Sequence, residues 1–125
     1  MTTVHTLASG SSGNALLLCS DTTRILLDTG ISCRRITAAL KELGLTPADL
    51  TAILITHTHS DHVSALPVLT KHCRAPIYAT VPTVEGLKEK CAHDQLEVVE
   101  PDDMGGQTVF VRGVQVRQGR GSNVK

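Results

Sequence analysis

Aromatic residues are almost missing from this chain: it has no Trp, and Tyr78 and Phe110 are the single members of their types. Single-stranded nucleic acids are usually gripped by stacking bases on such rings, so a stacking platform within this chain is not expected. The core must be built from Val, Leu, Ile and Ala within a hydrophobic fraction of 41%. An excess of one charge is lacking too, since 12 Lys and Arg stand against 12 Asp and Glu. A surface that holds a polyanion by charge alone would be more basic. No apolar run approaches the ~20 residues of a membrane-spanning helix, so no membrane partner is expected. The opening "MTTVHTLASGSSG" has neither the basic start nor the apolar stretch of a secretory signal. Cys19, Cys33, Cys73 and Cys91 show no CxxC spacing. They read as reduced, small buried hydrophobes in a cytoplasmic protein.

What is present is a regular alternation of short apolar runs and turn signals. A length of 125 residues implies one domain. Residues 3–8 and 15–19 read as strands joined by "SGSSGN", whose Gly and Asn residues suit a tight link. "RILLDTG" reads as a third strand ending at Asp28, completing an N-terminal meander. A helix is expected from Ser32, as its cap, to about Leu43, with Ile36, Leu40 and Leu43 on one face and Gly44 as the stop. Pro47 opens a short helical turn. "AILIT", 52–56, is a continuous apolar run and reads as a buried strand. "VSALPVLTKHC" and "VPTVEGLKEKCAH" read as helices on either side of the strand "APIYAT", although Gly86 weakens the second. "LEVVE", "TVFVR" and "VQVR" are further strands. The expected domain covers 1–117, and 118–125 reads as a mobile tail.

The segment "LITHTHSDHVSAL" places His57, His59, Asp61 and His62 within six positions, where the strand 52–56 ends. Sites in α/β sheets lie outside the carboxyl ends of strands. In extended backbone His57 and His59 point the same way, and Asp61 and His62 follow at the turn into a helix. Imidazole and carboxylate donors suit Zn²⁺, and also Mn²⁺ or Fe²⁺. Such a density of donors fits two ions about 3.5–4 Å apart, an arrangement that activates water for hydrolysis.

"THTHSDH" resembles the HxHxDH signature of the metallo-β-lactamase superfamily, and "LASGSSGNALLL" with "ILLDTGIS" resembles its WalJ/YycJ-like branch. The resemblance implies an α/β (α+β) fold, an αββα sandwich of which this chain forms about the N-terminal half. It implies a metal-dependent hydrolase, most closely a phosphodiesterase or DNA exonuclease with nucleic acid as partner. By the same resemblance His57 and His59 ligate one ion. Asp61, also the catalytic carboxylate, and His62 ligate the other. Asp28 then hydrogen-bonds behind the ligands and fixes their orientation, although it reads equally well as a turn-starting Asp. Ser11, Ser12 and Asn14 become candidates for contacting a phosphate, although a simple hairpin turn accounts for them as well.

Members of this superfamily supply a further His, an Asp that bridges both ions and a last His, and no His follows His93 here. His5, His72 and His93 are poor substitutes. In a helix His72 would lie about 15 Å beyond His62, His93 belongs at the opposite edge of the sheet, and His5 at the far end of its strand. Asp94, Asp102 and Asp103 would serve only in another topology. Each ion would then have two protein ligands, and reduced metal affinity is expected. A truncated, inactive fragment is therefore an alternative reading, and a thioester or lactam hydrolase is another. The half-sandwich is expected to expose an apolar sheet face that a homodimer or a C-terminal half would cover.

Overall fold

The computed structural model describes residues 2–9, 13–56, 63–89, 93–100, 107–112 and 114–118. Strands β1 (Thr2–Ala8), β2 (Ala15–Ser20) and β3 (Thr23–Leu27) form the expected antiparallel meander. Strands β4 (Ala52–Leu54), β5 (Ile77–Ala79) and β6 (Leu96–Val98) then add in parallel, giving a six-stranded sheet in the order β1 to β6. Strands β7 (Gln107–Val111) and β8 (Val114–Gln118) form a separate antiparallel hairpin. Residues 119–125, most of the tail expected from the sequence, lie outside the described residues.

Side chains alternate across a strand, and the burial follows that period. Leu17, Leu26, Ile53 and Ile77 face one side, where they pack with Ile36 and Leu40 of helix α1 (Cys33–Glu42), Leu66 and Leu69 of α2 (Leu66–Leu69), and Leu87 of α3 (Val81–Leu87). Ile25, Leu27, Ala52 and Leu54 face the other side and pack against Val109, Val111 and Val116 of the hairpin. Burying each such aliphatic side chain contributes roughly 1.5–3 kcal/mol. The apolar face expected to stand open is thus partly covered by this chain itself. The reason lies in β7 and β8, whose alternate valines start a second sheet packed on the first. The result is three layers: helices, main sheet, hairpin.

Local signals position α1 well. Ser32 accepts the Arg35 N–H at 3.2 Å, and Gly44, at φ 77°, donates its N–H to Lys41 O at 3.0 Å. Leu43 departs from expectation: it is the C-cap and is 40% exposed, so it does not share the buried face of Ile36 and Leu40. Helix α2 is much shorter than "VSALPVLTKHC". Pro67 lacks an N–H and sits in its first turn. At its far end Lys71 and His72 donate to Val68 O and Leu69 O, a tighter turn that closes the helix. A helical ruler from His62 to His72 therefore does not apply. Helix α3 ends at Leu87, directly after Gly86, rather than continuing to His93. His5 lies in the middle of β1, opposite Leu17, rather than at a strand end.

Candidate functional site

Strand β4 stops at Leu54, two residues short of the apolar run. Ile55 still donates its N–H to Tyr78 O at 3.0 Å, but Thr56 leaves the sheet. The Thr56 N–H goes instead to Asp28 Oδ1 at 2.8 Å, and its hydroxyl donates to Asp28 Oδ2 at 2.7 Å. Asp28 follows β3 immediately and donates its own N–H to Leu54 O at 2.8 Å. Its φ of 62° is a left-handed conformation that Asp tolerates better than most residues. The side chain is 1% exposed. A carboxylate so deeply buried is costly unless hydrogen-bonded, and each bond to a charged group contributes about 1.5–3 kcal/mol.

The next residue, Thr29, is fully buried, and its carbonyl accepts the Ala65 N–H at 2.8 Å. Two described residues that flank the motif in sequence are thus bonded to consecutive residues: Thr56 to Asp28, and Ala65 to Thr29. Thr29 and Thr56 had no role in the sequence reading. Their signal was a polar residue directly abutting an apolar run and the histidine motif. His57, His59, Asp61 and His62 themselves lie outside the described residues, as do Ser11 and Ser12.

Asn14 reaches the same edge. Its carbonyl accepts the Gly30 N–H at 2.8 Å. Gly13, at φ 148°, lies so close to this loop that a Cβ there would stand 2.6 Å from Gly30 O and 2.9 Å from Ile31 Cγ2. Only glycine permits that approach. Gly13 and Asn14 are therefore pressed against the Asp28–Ile31 loop. Other candidates fall elsewhere. His72 precedes β5 and His93 precedes β6, which puts both at the opposite edge. Asp94, beside His93, is exposed, while Asp102 and Asp103 lie outside the described residues. No group of three or more His, Cys, Asp or Glu forms a metal cluster among the described residues. Of the thiols, Cys73 is buried as expected, and that burial pushes its pKa up, whereas Cys19 and Cys33 are half-exposed. Cys91 lies outside the described residues.

The architecture is that of a known superfamily. The model of the metallo-beta-lactamase superfamily matches residues 8–116, and the chain belongs to that superfamily. The exodeoxyribonuclease WalJ of Streptococcus pneumoniae is 43% identical over 82 residues, which cover 66% of this chain and 30% of WalJ. The exodeoxyribonuclease YycJ of Bacillus anthracis is 42% identical over 77 residues, covering 62% of this chain and 29% of YycJ. The Rm3 metallo-beta-lactamase superposes with a TM-score of 0.71 at 21% identity, covering 90% of this chain and 46% of that structure. That last likeness concerns the fold. The chain spans about 30% of the length of the curated relatives it matches and about half of its structural neighbours.

Membership of the superfamily implies divalent metal ions. The donor set fits them by its chemistry: three imidazoles and a carboxylate stand within six residues, directly after Thr56, which is bonded to the buried Asp28. No helix among the described residues is long and apolar enough to cross a membrane.

Proposed function

We propose that this chain forms the first half of a metal-dependent phosphodiesterase that acts on DNA, most closely an exonuclease, in the cytoplasm. The observation that carries this reading is the buried Asp28, bonded to Thr56 directly before the four-donor motif. It supports a buried acid at the edge where the donor motif begins, as a supported metal site requires. In this reading His57 and His59 hold one ion, Asp61 and His62 the other, and zinc is preferred over manganese or iron. Bound ions supply Lewis-acid activation of water and stabilise developing negative charge. The chain's own residues do the rest. Asp28 fixes Thr56, and through it the start of the donor segment, and it orients the ligand imidazoles. Asp61 is the carboxylate nearest the chemistry. Ser11, Ser12 and Asn14 offer hydroxyl, amide and backbone N–H groups to a phosphate. The similarity to two exodeoxyribonucleases favours DNA as substrate.

The test is degradation of end-labelled linear DNA and RNA, with closed circular DNA as control, by a polypeptide carrying the whole ligand set. Cleavage confined to linear DNA, and lost in His59→Ala, is the expected result. Cleavage unchanged by His59→Ala would overturn the metal reading, and turnover of a thioester or lactam instead would overturn the substrate.

A second reading concerns these 125 residues alone. They offer two motif donors per ion, where a catalytic zinc has three protein ligands. The isolated chain then binds metal weakly and does not turn over. Metal analysis after prolonged dialysis decides, since two ions retained per chain would contradict it.

A further inference from the structure

A concavity lies in the helical layer. It is a groove of about 540 Å³ between α1, the Pro47 turn and α2. Arg34, Ala38 and Lys41 line one wall from successive turns of α1, while Pro47, Val68 and His72 contribute floor and far wall. We propose that this groove docks an acidic segment of a partner protein, in extended form, with an aliphatic side chain between two carboxylates.

The composition of the lining carries the argument. Among the described residues it contains two full cations and an imidazole but no carboxylate. Its floor is apolar, and Val68 is 47% exposed there, one of the few large hydrophobic side chains left open to water. The groove's volume lies within the range of about 300–1,000 Å³ usual for ligand sites. Arg34 and Lys41 are seven residues apart on one helix, about 10.5 Å along its axis. A peptide in the polyproline II form has three residues per turn and rises about 3.1 Å per residue, so acidic residues three positions apart share one face and lie about 9.3 Å apart, which these side chains span. A residue between them then reaches Ala38, Pro47 and Val68. A nucleic-acid backbone matches the charges but has no aliphatic group for the floor. Among the described residues the lining also has no aromatic ring for a base.

The experiment uses a fluorescein-labelled octapeptide with two glutamates three positions apart around a leucine, and a twin with glutamines. Anisotropy with the reduced chain should show the glutamate peptide binding about tenfold or more tightly than its twin. Arg34→Glu with Lys41→Glu, or Val68→Asp alone, should remove that preference. Lys88→Glu, a surface cation outside the groove, should not. Bound peptide should also slow alkylation of Cys33, which lines the groove, and leave Cys19 on β2 unaffected. This last readout uses the unaltered chain, so it decides even where a variant fails to fold. Equal binding of the two peptides, equal loss with Lys88→Glu, or absent Cys33 protection would overturn the proposal. So would a thymidine oligonucleotide that protects Cys33 in the peptide's place, because the groove would then be a nucleic-acid track.

Discussion

At the carboxyl edge of β3 and β4 a buried carboxylate takes up backbone and hydroxyl donors from another part of the chain. At the opposite edge the acids stay in water. There Asp49 accepts the Thr46 N–H at 2.8 Å within one exposed turn, and the buried work is done by a neutral amide, with Gln95 donating to Cys73 O and Ala75 O at 3.0 and 3.1 Å. Among the described residues Asp28 is the single buried Asp or Glu. Stability alone gives little reason for it, because apolar groups of the same shape avoid the desolvation cost. The difference between the edges separates a turn that merely closes the chain from the one that carries the proposed site.

The largest break in that contrast is Asp28→Ala. It strips two buried donors on Thr56 of their acceptor and should cost roughly 2–4 kcal/mol. The check is urea unfolding, with Asp28→Asn as the milder control, since Asn tolerates the positive φ and keeps one acceptor oxygen. A loss no greater than that of an exposed Asp would mean that the buried acid holds nothing. Gly13→Ala comes next, at about 1–3 kcal/mol, because its Cβ would press on the Gly30 carbonyl and the backbone must move. Thermal melts of Gly13→Ala and Gly44→Ala separate crowding from conformation. Both glycines have positive φ, but nothing lies within 4 Å of a Cβ at Gly44. Thr56→Val should cost about 1–2 kcal/mol, since the hydroxyl bond to Asp28 is lost while the N–H bond stays. Thr56→Ser should recover most of that loss. If it does not, the methyl group rather than the hydroxyl matters.

The order of elements was legible because period-two and helical patterns are written in every apolar run, and Ser32, Gly44 and Pro47 punctuate them. Helix lengths were not. The effect of Pro67 on α2 depends on which turn it occupies, and Gly86 weakens a helix without saying where it ends. The hairpin's cover over the second sheet face was also hidden, because alternating valines at 109, 111 and 116 announce strands but not what they pack on. The site was half legible. The four donors stand together in sequence, and the resemblance put Asp28 beside them. The bonds from Asp28 to Thr56 and from Thr29 to Ala65 join segments 28 and 36 residues apart. No local pattern encodes such pairs.

The smallest effect belongs to the opposite edge and tests the contrast from its quiet side. The Thr46 N–H, followed by the Thr46 hydroxyl, holds the Asp49 carboxyl below its ordinary value of 3.8, and Arg24 adds a minor pull. A depressed folded-state pKa means that the unfolded chain binds this proton more readily. The stability it contributes is therefore present above the ordinary value and is lost as pH falls below it, through the folded-state pKa. Because Asp49 is exposed, solvent screens most of that contribution. Asp49→Asn should leave unfolding at neutral pH nearly unchanged and slightly flatten the acid limb of a stability-against-pH curve. A neutral-pH loss as large as that of Asp28→Ala would erase the distinction between the two edges, because an open, self-contained turn would then hold the fold as firmly as the buried acid at the site.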